Sequence, residues 1–553
     1  MARGDERRLL PTKWLTSRLV QRAFALDPPL TRDVVVQRDL EIAMPDGVVL
    51  LADRWAPRVG GESLPLALYR SPYGRRGLQS LSQGRVMAER GFQVLIQSTR
   101  GTFGSGGVFD PLRQEREDGL ATLDWVLKQS WFGDSMVLFG TSYLGYVQWA
   151  VADSLPPQVK AMVPHVTESA LTMEFLRKDG LSLETPFGWG AMIDGQERPR
   201  ALLRQFTQGR KNDRAMRTLP LDRADLVATG HRVDYIRDIV AHPADASRWD
   251  GIDHSHRVAE TGVPVSSIGG WYDIFLPGQL RDFTILQQAG RPARLTIGPW
   301  THLSTDPLPI RESLEFGLAH ACGQQPPQRA PVRLYVMGAE AWADFETWPP
   351  SGYASERYFL HSGNGLSDQP PSDPAGDAEP DRYRYDPADP TPATGGVVMR
   401  FRGGGRVDNT ALEARPDVLT YSTAVLEQDV EIIGEVSAEI WFRSSLAFAD
   451  VFVRLCDVHP DGRSFNVCDG LVSLTGADEL TCATVELWAT AHRFKRGHHI
   501  RVQVSSGAFP RYARNTGTAE PRAMATTLRI AEQEIYRGPE HPSYIALPVR
   551  QVS

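Results

Sequence analysis

MVLFGTSYLGYVQWAVADSL, residues 136–155, is the stretch from which the fold is read. MVLF is a short apolar, β-rich run of the kind that fills a buried strand. YVQWAVADSL has the composition of a helix. Between them lie Gly140, Thr141, Ser142, Tyr143, Leu144 and Gly145. Strand, tight turn and helix with a serine at the apex force the backbone into a strained conformation there. Gly140 and Gly145 remove side chains where the strand and helix crowd. The helix begins just after Ser142, so its free N–H groups face whatever reacts at that oxygen. The second glycine falls one place later than in G-x-S-x-G. On this stretch alone an ordinary turn therefore stays open.

Outward from it, LPLALYR (64–70), FQVLIQS (92–98), VKAMVPHV (159–166), VPVSSIGG (263–270) and ARLTIGP (293–299) are further short apolar runs. They suit strands covered on both faces of a parallel sheet. EREDGLATLDWVLKQ (115–129) is a helical stretch among them, and the alternation predicts an α/β layer fold. VVVQRDLEIA (34–43), Asp46-Gly47 and the run after it read as a hairpin. Residues 167–250 are rich in helix formers and predict a helical cap inserted over one end of the sheet. Residues 366–396 are rich in Pro, Asp and Gly and read as a connection. Beyond them, runs such as VEIIGEVSAEIWFRSS and DVFVRLCDV predict an all-β jelly roll or sandwich. The expected division is an extension over 1–33, a catalytic α/β domain over 34–166 and 251–350, the cap over 167–250, a connecting segment over 351–396 and the jelly roll over 397–553.

The chain of 553 residues is 41% hydrophobic and 23% charged, which excludes wholesale disorder. Its net charge of −7 argues against general nucleic-acid binding. No apolar run is long enough for a membrane span. The first thirty residues lack a continuous apolar core, so a cytoplasmic protein is expected. Leu10, Trp14, Leu15, Leu19 and Val20 fall at helical spacing there between basic residues, which leaves two readings, a surface-seeking basic amphipathic helix and, favoured because Asp5 and Glu6 interrupt the charge, a helix packed on its own protein. The four cysteines fit neither a disulfide framework nor a zinc pattern and are expected to be buried free thiols, with no metal or cofactor required.

A serine hydroxyl needs a base. In the nucleophile elbow of α/β hydrolases the order is Ser, then Asp or Glu, then His, each partner following a later strand. Trp271-Tyr272-Asp273 follows VPVSSIGG, and Trp300-Thr301-His302 follows LTIGP. Both lie at strand C-terminal ends, where open α/β sheets place their sites. His165 also follows a strand but precedes the acid, so a structural role is expected. His254 and His256 read as surface residues, and Asp53 and Asp110 as structural acids.

GTSYLG, GGWYD and GPWTH, in this order, resemble the motifs of the X-prolyl dipeptidyl peptidase/cocaine esterase family of serine hydrolases. The likeness runs from about residue 35 to 535, through YRSPYGR (69–75), QSTRGTFGSGGVF (97–109), VRLYVMGAEAWADFETWPP (332–350) and FKRGHHIRVQVSSGAFPRYARN (494–515). The resemblance implies Ser142 as nucleophile, His302 as general base and acid, and Asp273 as the carboxylate orienting it. It implies an oxyanion hole formed by the Tyr73 hydroxyl and the Tyr143 N–H. The family loop carries an acid where this chain has Ser98, which puts an ion pair from that position to Arg100 in doubt.

The expected reaction is two-step acyl transfer on a small ester or amide, most simply that of a carboxylesterase. X-Pro dipeptidyl peptidase and α-amino-acid ester hydrolase or acylase are alternatives, as is a catalytically inactive protein that binds through its jelly roll. A substrate ammonium would need acids in the pocket, and Ile274-Phe275-Leu276-Pro277-Gly278 after Asp273 is apolar. Glu168, Glu174 and Glu184 of the cap could supply charge. Phe175, Phe187, Trp189 and Trp271 are the aromatic candidates for lining an apolar pocket. Oligomeric state stays open, a homo-oligomer included.

Overall fold

The computed structural model describes residues 9–11, 14–77, 81–170, 181–198, 201–241, 247–372, 379–400 and 403–551. The first sheet is built from β1 (Leu9–Pro11), β2 (Val34–Ala43), β3 (Val49–Pro57), β4 (Leu66–Ser71), β5 (Gln93–Ser98), β6 (Met136–Thr141), β7 (Val159–His165), β8 (Val265–Tyr272), β9 (Ala293–Thr301), β10 (Val332–Val336) and β11 (Ala341–Phe345). Their order is β1-β2-β3-β5-β4-β6-β7-β8-β9-β10-β11. β4 to β10 run parallel, while β1–β3 and β11 close the edges antiparallel.

Two-sided burial explains the apolar runs. Along β4, Ala67 and Tyr69 enter one core, while Leu66 and Leu68 enter another on the opposite face. Val137 and Phe139 of β6 join the first core, and Met136 and Leu138 join the second. With side chains alternating between faces, both faces must be apolar. The order reverses at β4, which has β5 on one side and β6 on the other. That switch opens a crevice at the strand C-termini.

Four helices, Glu184–Gly195, Ala201–Met216, Ala224–Thr229 and Asp234–Ala241, follow β7 before the chain returns to β8. They pack through a core that includes Leu183, Phe187, Met216, Leu221 and Ile236 and is shared with Phe509, Ala513 and Ala523 of the C-terminal domain. The cap leaves and re-enters the α/β layer at one place, where Ala170 and Asp253 form an antiparallel bridge.

The second sheet begins earlier than expected. β12 (Tyr353–His361), β13 (Gly365–Ser367) and β14 (Asp381–Tyr385) lie within the segment read as a connection. β12 pairs with β22 (Tyr544–Arg550), and β14 with β21 (Ala531–Tyr536). The prolines and aspartates punctuate short edge strands there, which local composition cannot tell from a linker. β15 to β20 complete the all-β domain over residues 419–505, with β16 (Val430–Ser444) paired to β19 (Thr481–Phe494).

The N-terminal helix spans Trp14–Ala23 and packs on its own protein, with buried Ser17 donating to Glu89 at 2.8 Å. Leu10, expected in that helix, lies instead in β1. Cys456 and Cys468 are buried free thiols and Cys482 is half-buried, but Cys322 is exposed. No described helix is long and apolar enough to cross a membrane.

Candidate active site

Ser142 sits at the end of β6 with φ +61° and ψ −123°, the strained backbone expected of it. Its N–H donates to the His165 carbonyl at 2.9 Å, and its carbonyl accepts from Gly145 and Tyr146 at 2.8 and 3.0 Å. A Cβ on Gly140 would stand 2.3 Å from the Leu144 carbonyl oxygen, and one on Gly145 2.3 Å from Thr167 Cγ2. Both glycines are therefore steric requirements. We expect Gly140→Ala to lower Tm and cut activity by about 10²-fold, because its neighbour is backbone and about 1 Å of displacement at the nucleophile suffices. Gly209→Ala, where nothing lies within 4 Å, is expected to stabilise by about 0.5–1 kcal/mol. Thermal melts and ester turnover check both, and wild-type behaviour of Gly140→Ala would contradict the account.

Three separated loops converge here. His302 Nε2 lies 3.0 Å from Ser142 Oγ, and His302 Nδ1 lies 2.8 Å from Asp273 Oδ2. Asp273 is fully buried, and its other oxygen, Oδ1, accepts the Phe275 N–H at 2.8 Å. The Phe275 ring meets the imidazole edge-on at 5.3 Å between centroids. An alcohol, an imidazole and a carboxylate in contact can pass a proton from the first to the second and stabilise the cation that results.

Tyr73 lies two residues past β4, across the switch from Ser142. Its hydroxyl accepts Trp189 Nε1–H at 3.0 Å and is in hydrogen-bond contact with Ser142. Burial pushes its pKa up, against the pull of those two contacts, so the phenol keeps its proton and can donate. Arg75 anchors this segment, pairing with buried Asp53 at 3.1 Å. The Tyr143 ring is fixed from below: its hydroxyl donates to buried Glu115 at 2.7 Å and accepts the Leu112 N–H at 2.9 Å. Its amide opens the helix Tyr143–Trp149.

A pocket opens at Ser142, lined by Tyr73, Leu112, Tyr143, Trp189, Trp249, Ile274, Phe275 and Met399 among others. Arg113 and Asp238 are the charged members of its wall. Trp189 is among the lining residues, and Trp271 is not. Its indole N–H donates to the Tyr335 carbonyl at 2.7 Å, and its ring packs on Trp348 in the core shared with the β domain. Phe187 belongs to the cap core, and Phe175 and Glu174 lie outside the described residues. Glu168 is buried against Gly278 rather than in the pocket, and Glu184 pairs with Arg400 at 2.6 Å.

His165 is structural, as expected. It bonds Ser313 Oγ at 2.7 Å, and burial pushes its pKa down to about 4. His254, read as a surface residue, is instead buried beside the Tyr146 hydroxyl at 3.1 Å. Asp53 is buried among Arg38, Arg75 and Arg76, and Asp110 pairs with Arg113. Arg100, lacking an acid at position 98, takes Asp118 and Asp46, each at 2.6 Å. In the β domain, Asp457, His459 and His498 are grouped like metal ligands. However, His459 Nε2 already accepts from Arg406 at 2.9 Å, which puts a fixed cation beside the carboxylate.

Sequence reasoning missed Met399, Trp249, Arg113 and Asp238. Met399 reaches the pocket from the β domain, and its N–H approaches Glu184 of the cap. No local pattern marks such a residue.

Residues 46–304 match the X-Pro dipeptidyl-peptidase (S15) family, and residues 327–546 its C-terminal non-catalytic domain. The cocaine esterase of Rhodococcus sp. (strain MB1 Bresler) is 33% identical, over 93% of this chain and 98% of its own. Among solved structures, an aminopeptidase from a marine-sediment Thaumarchaeota archaeon superposes with a TM-score of 0.76 at 21% identity, covering 93% of this chain and 97% of its own. An α-amino acid ester hydrolase superposes at 0.72 and 22%, covering 94% and 97%. These two likenesses speak for the shared fold. With an S15 match over the α/β layer, its companion domain behind it and a full-length relative at 33% identity, the chain belongs to the X-Pro dipeptidyl-peptidase (S15)/cocaine esterase family of serine hydrolases.

Proposed function

We propose that the chain is a carboxylesterase for esters of uncharged, apolar acyl groups. Ser142 attacks the ester carbonyl while His302 Nε2 takes its proton. Asp273 holds the imidazole and stabilises its charged form. The carbonyl oxygen, now an anion, is met by the Tyr73 hydroxyl and the Tyr143 amide. His302 then protonates the leaving alcohol. Water, activated by the same imidazole, releases the acid and restores Ser142. The observation that carries the reading is the 3.0 and 2.8 Å relay opening onto a wall of Trp189, Trp249, Phe275, Ile274, Leu112 and Met399. The name of the 33% identical relative, a cocaine esterase, supports an ester substrate.

Asp238 favours a second reading. A carboxylate on the pocket wall could receive a substrate ammonium, as an aminopeptidase or amino-acid ester hydrolase requires. Weighed against the apolar remainder, one half-buried acid on a wall that also carries Arg113 is a weak counter-charge. Burying an ammonium without a matched partner costs several kcal/mol. We therefore expect kcat/KM for p-nitrophenyl butyrate to exceed that for Gly-Pro-p-nitroanilide by about 10²-fold or more. Preferential turnover of the anilide would replace the esterase reading with the peptidase one.

A further inference from the structure

We infer that Trp189 is a positioning residue for the reaction: its indole N–H, delivered by the cap, sets the direction in which the Tyr73 hydroxyl donates. This rests on the reading of Tyr73 as an oxyanion donor.

The geometry is specific. Trp189 Nε1 stands 3.0 Å from the Tyr73 oxygen. A phenol carries one hydrogen and can accept, whereas an indole N–H can only donate. The contact therefore has one polarity. Trp189 fills an acceptor site on Tyr73 and offers nothing for the Tyr73 hydrogen. That hydrogen is left to point away from Trp189, toward the pocket that Tyr73 and Ser142 line together. Donation into the phenol oxygen also polarises its O–H, strengthening the next bond in the chain by roughly 10–30%.

The cap holds this arrangement at two further points. The Trp189 ring stacks on the Tyr143 ring at 6.1 Å and 13°, over the residue whose amide is the other donor. At the C-terminal cap of the same helix, Gln196 Nε2 donates at 2.8 Å to the carbonyl of Pro72, the residue before Tyr73. The Tyr73 segment is thus gripped by the cap at its backbone and at its hydroxyl. The contacts that seat the cap here are the same ones that aim the Tyr73 hydroxyl. Trp189 exchanges no proton and forms no covalent bond in this role.

Trp189 also lines the pocket, so a packing role must be told apart from a positioning role. The test is a double-mutant cycle of Trp189→Phe and Tyr73→Phe, read as separate kcat and KM values with p-nitrophenyl butyrate. Replacing Trp189 by benzothienylalanine, which keeps the ring shape and lacks the N–H, is the second variant should phenylalanine disturb folding. We expect either change at 189 to lower kcat about five- to tenfold with KM within twofold, the size of one lost hydrogen bond. In the Tyr73→Phe background the same change should alter kcat less than twofold. Equal losses in both backgrounds, or a loss confined to KM, would overturn the inference and leave Tyr73 in place. Wild-type kcat for Tyr73→Phe alone would remove Tyr73 from the mechanism and the inference with it.

Discussion

Replacing His302 by alanine is expected to leave a folded protein whose ester turnover falls by about 10⁴- to 10⁶-fold. Among the described residues, His302 is the base within hydrogen-bond reach of Ser142 Oγ, at 3.0 Å. Of the other imidazoles near the site, His165 bonds to Ser313 and His254 to Tyr146, so neither can take over. Ser142→Ala should be equally damaging. The double variant should be little worse than either single one, because nucleophile and base act as one unit. Residual hydrolysis above the buffer rate is expected, because the Tyr73 and Tyr143 donors survive. A fluorophosphonate probe gives a second measure: wild type should label, and neither variant should. Turnover by His302→Ala within tenfold of wild type would remove this imidazole from the mechanism.

What the sequence made legible follows from range. Strand and elbow are local events. Six apolar runs become β4 to β9 because each is buried on both faces, and Gly140 and Gly145 are where crowding demands glycine. The order Ser142, Asp273, His302 is readable because the parallel strands β4 to β10 put their C-termini at one edge. Long-range facts were hidden. Trp271 and Phe275 are four residues apart and both aromatic, yet one is core and the other touches His302. The turn after β8 separates them. His254 sits in a polar stretch, and its burial comes from the cap base folding onto Tyr146. Arg100 finds Asp118 and Asp46 in place of a neighbour two residues away, a compensation no short motif encodes. Met399 enters the pocket from another domain.

The placement of these parts has a mechanical consequence. Tyr73 and Ser142 follow adjacent parallel strands that leave the sheet at the point where its order reverses. The strand layer therefore fixes Ser142 against Tyr73. The cap reaches the Tyr73 segment through Trp189 and Gln196, and the β domain reaches the cap through Arg400 and Glu184. The pocket is complete only when all three bodies are docked. Turnover should accordingly be lost before the sheet itself unfolds.

Asp273→Asn is the sharper test of how the relay works, because it changes one atom and almost no volume. Asp273 is fully buried, and its two oxygens have different tasks. Oδ1 accepts the Phe275 N–H at 2.8 Å, and Oδ2 faces His302 Nδ1 at 2.8 Å. An asparagine has one oxygen and one NH₂. A backbone N–H can only donate, so the amide oxygen must stay on Phe275. The NH₂ then faces His302 and needs an acceptor there. His302 must carry its proton on Nε2, the nitrogen that has to receive the Ser142 proton. The wrong tautomer becomes the stable one, and a loss of about 10⁴-fold in kcat is expected with little change in KM. Tm should move by only a few degrees, since every buried polar atom keeps a partner. Asp273→Ala should lose activity similarly but also stability, because the Phe275 N–H is left unpaired in a buried site. Near-normal turnover by Asp273→Asn at neutral pH, with the protein folded, would mean that the carboxylate does not set the tautomer of His302.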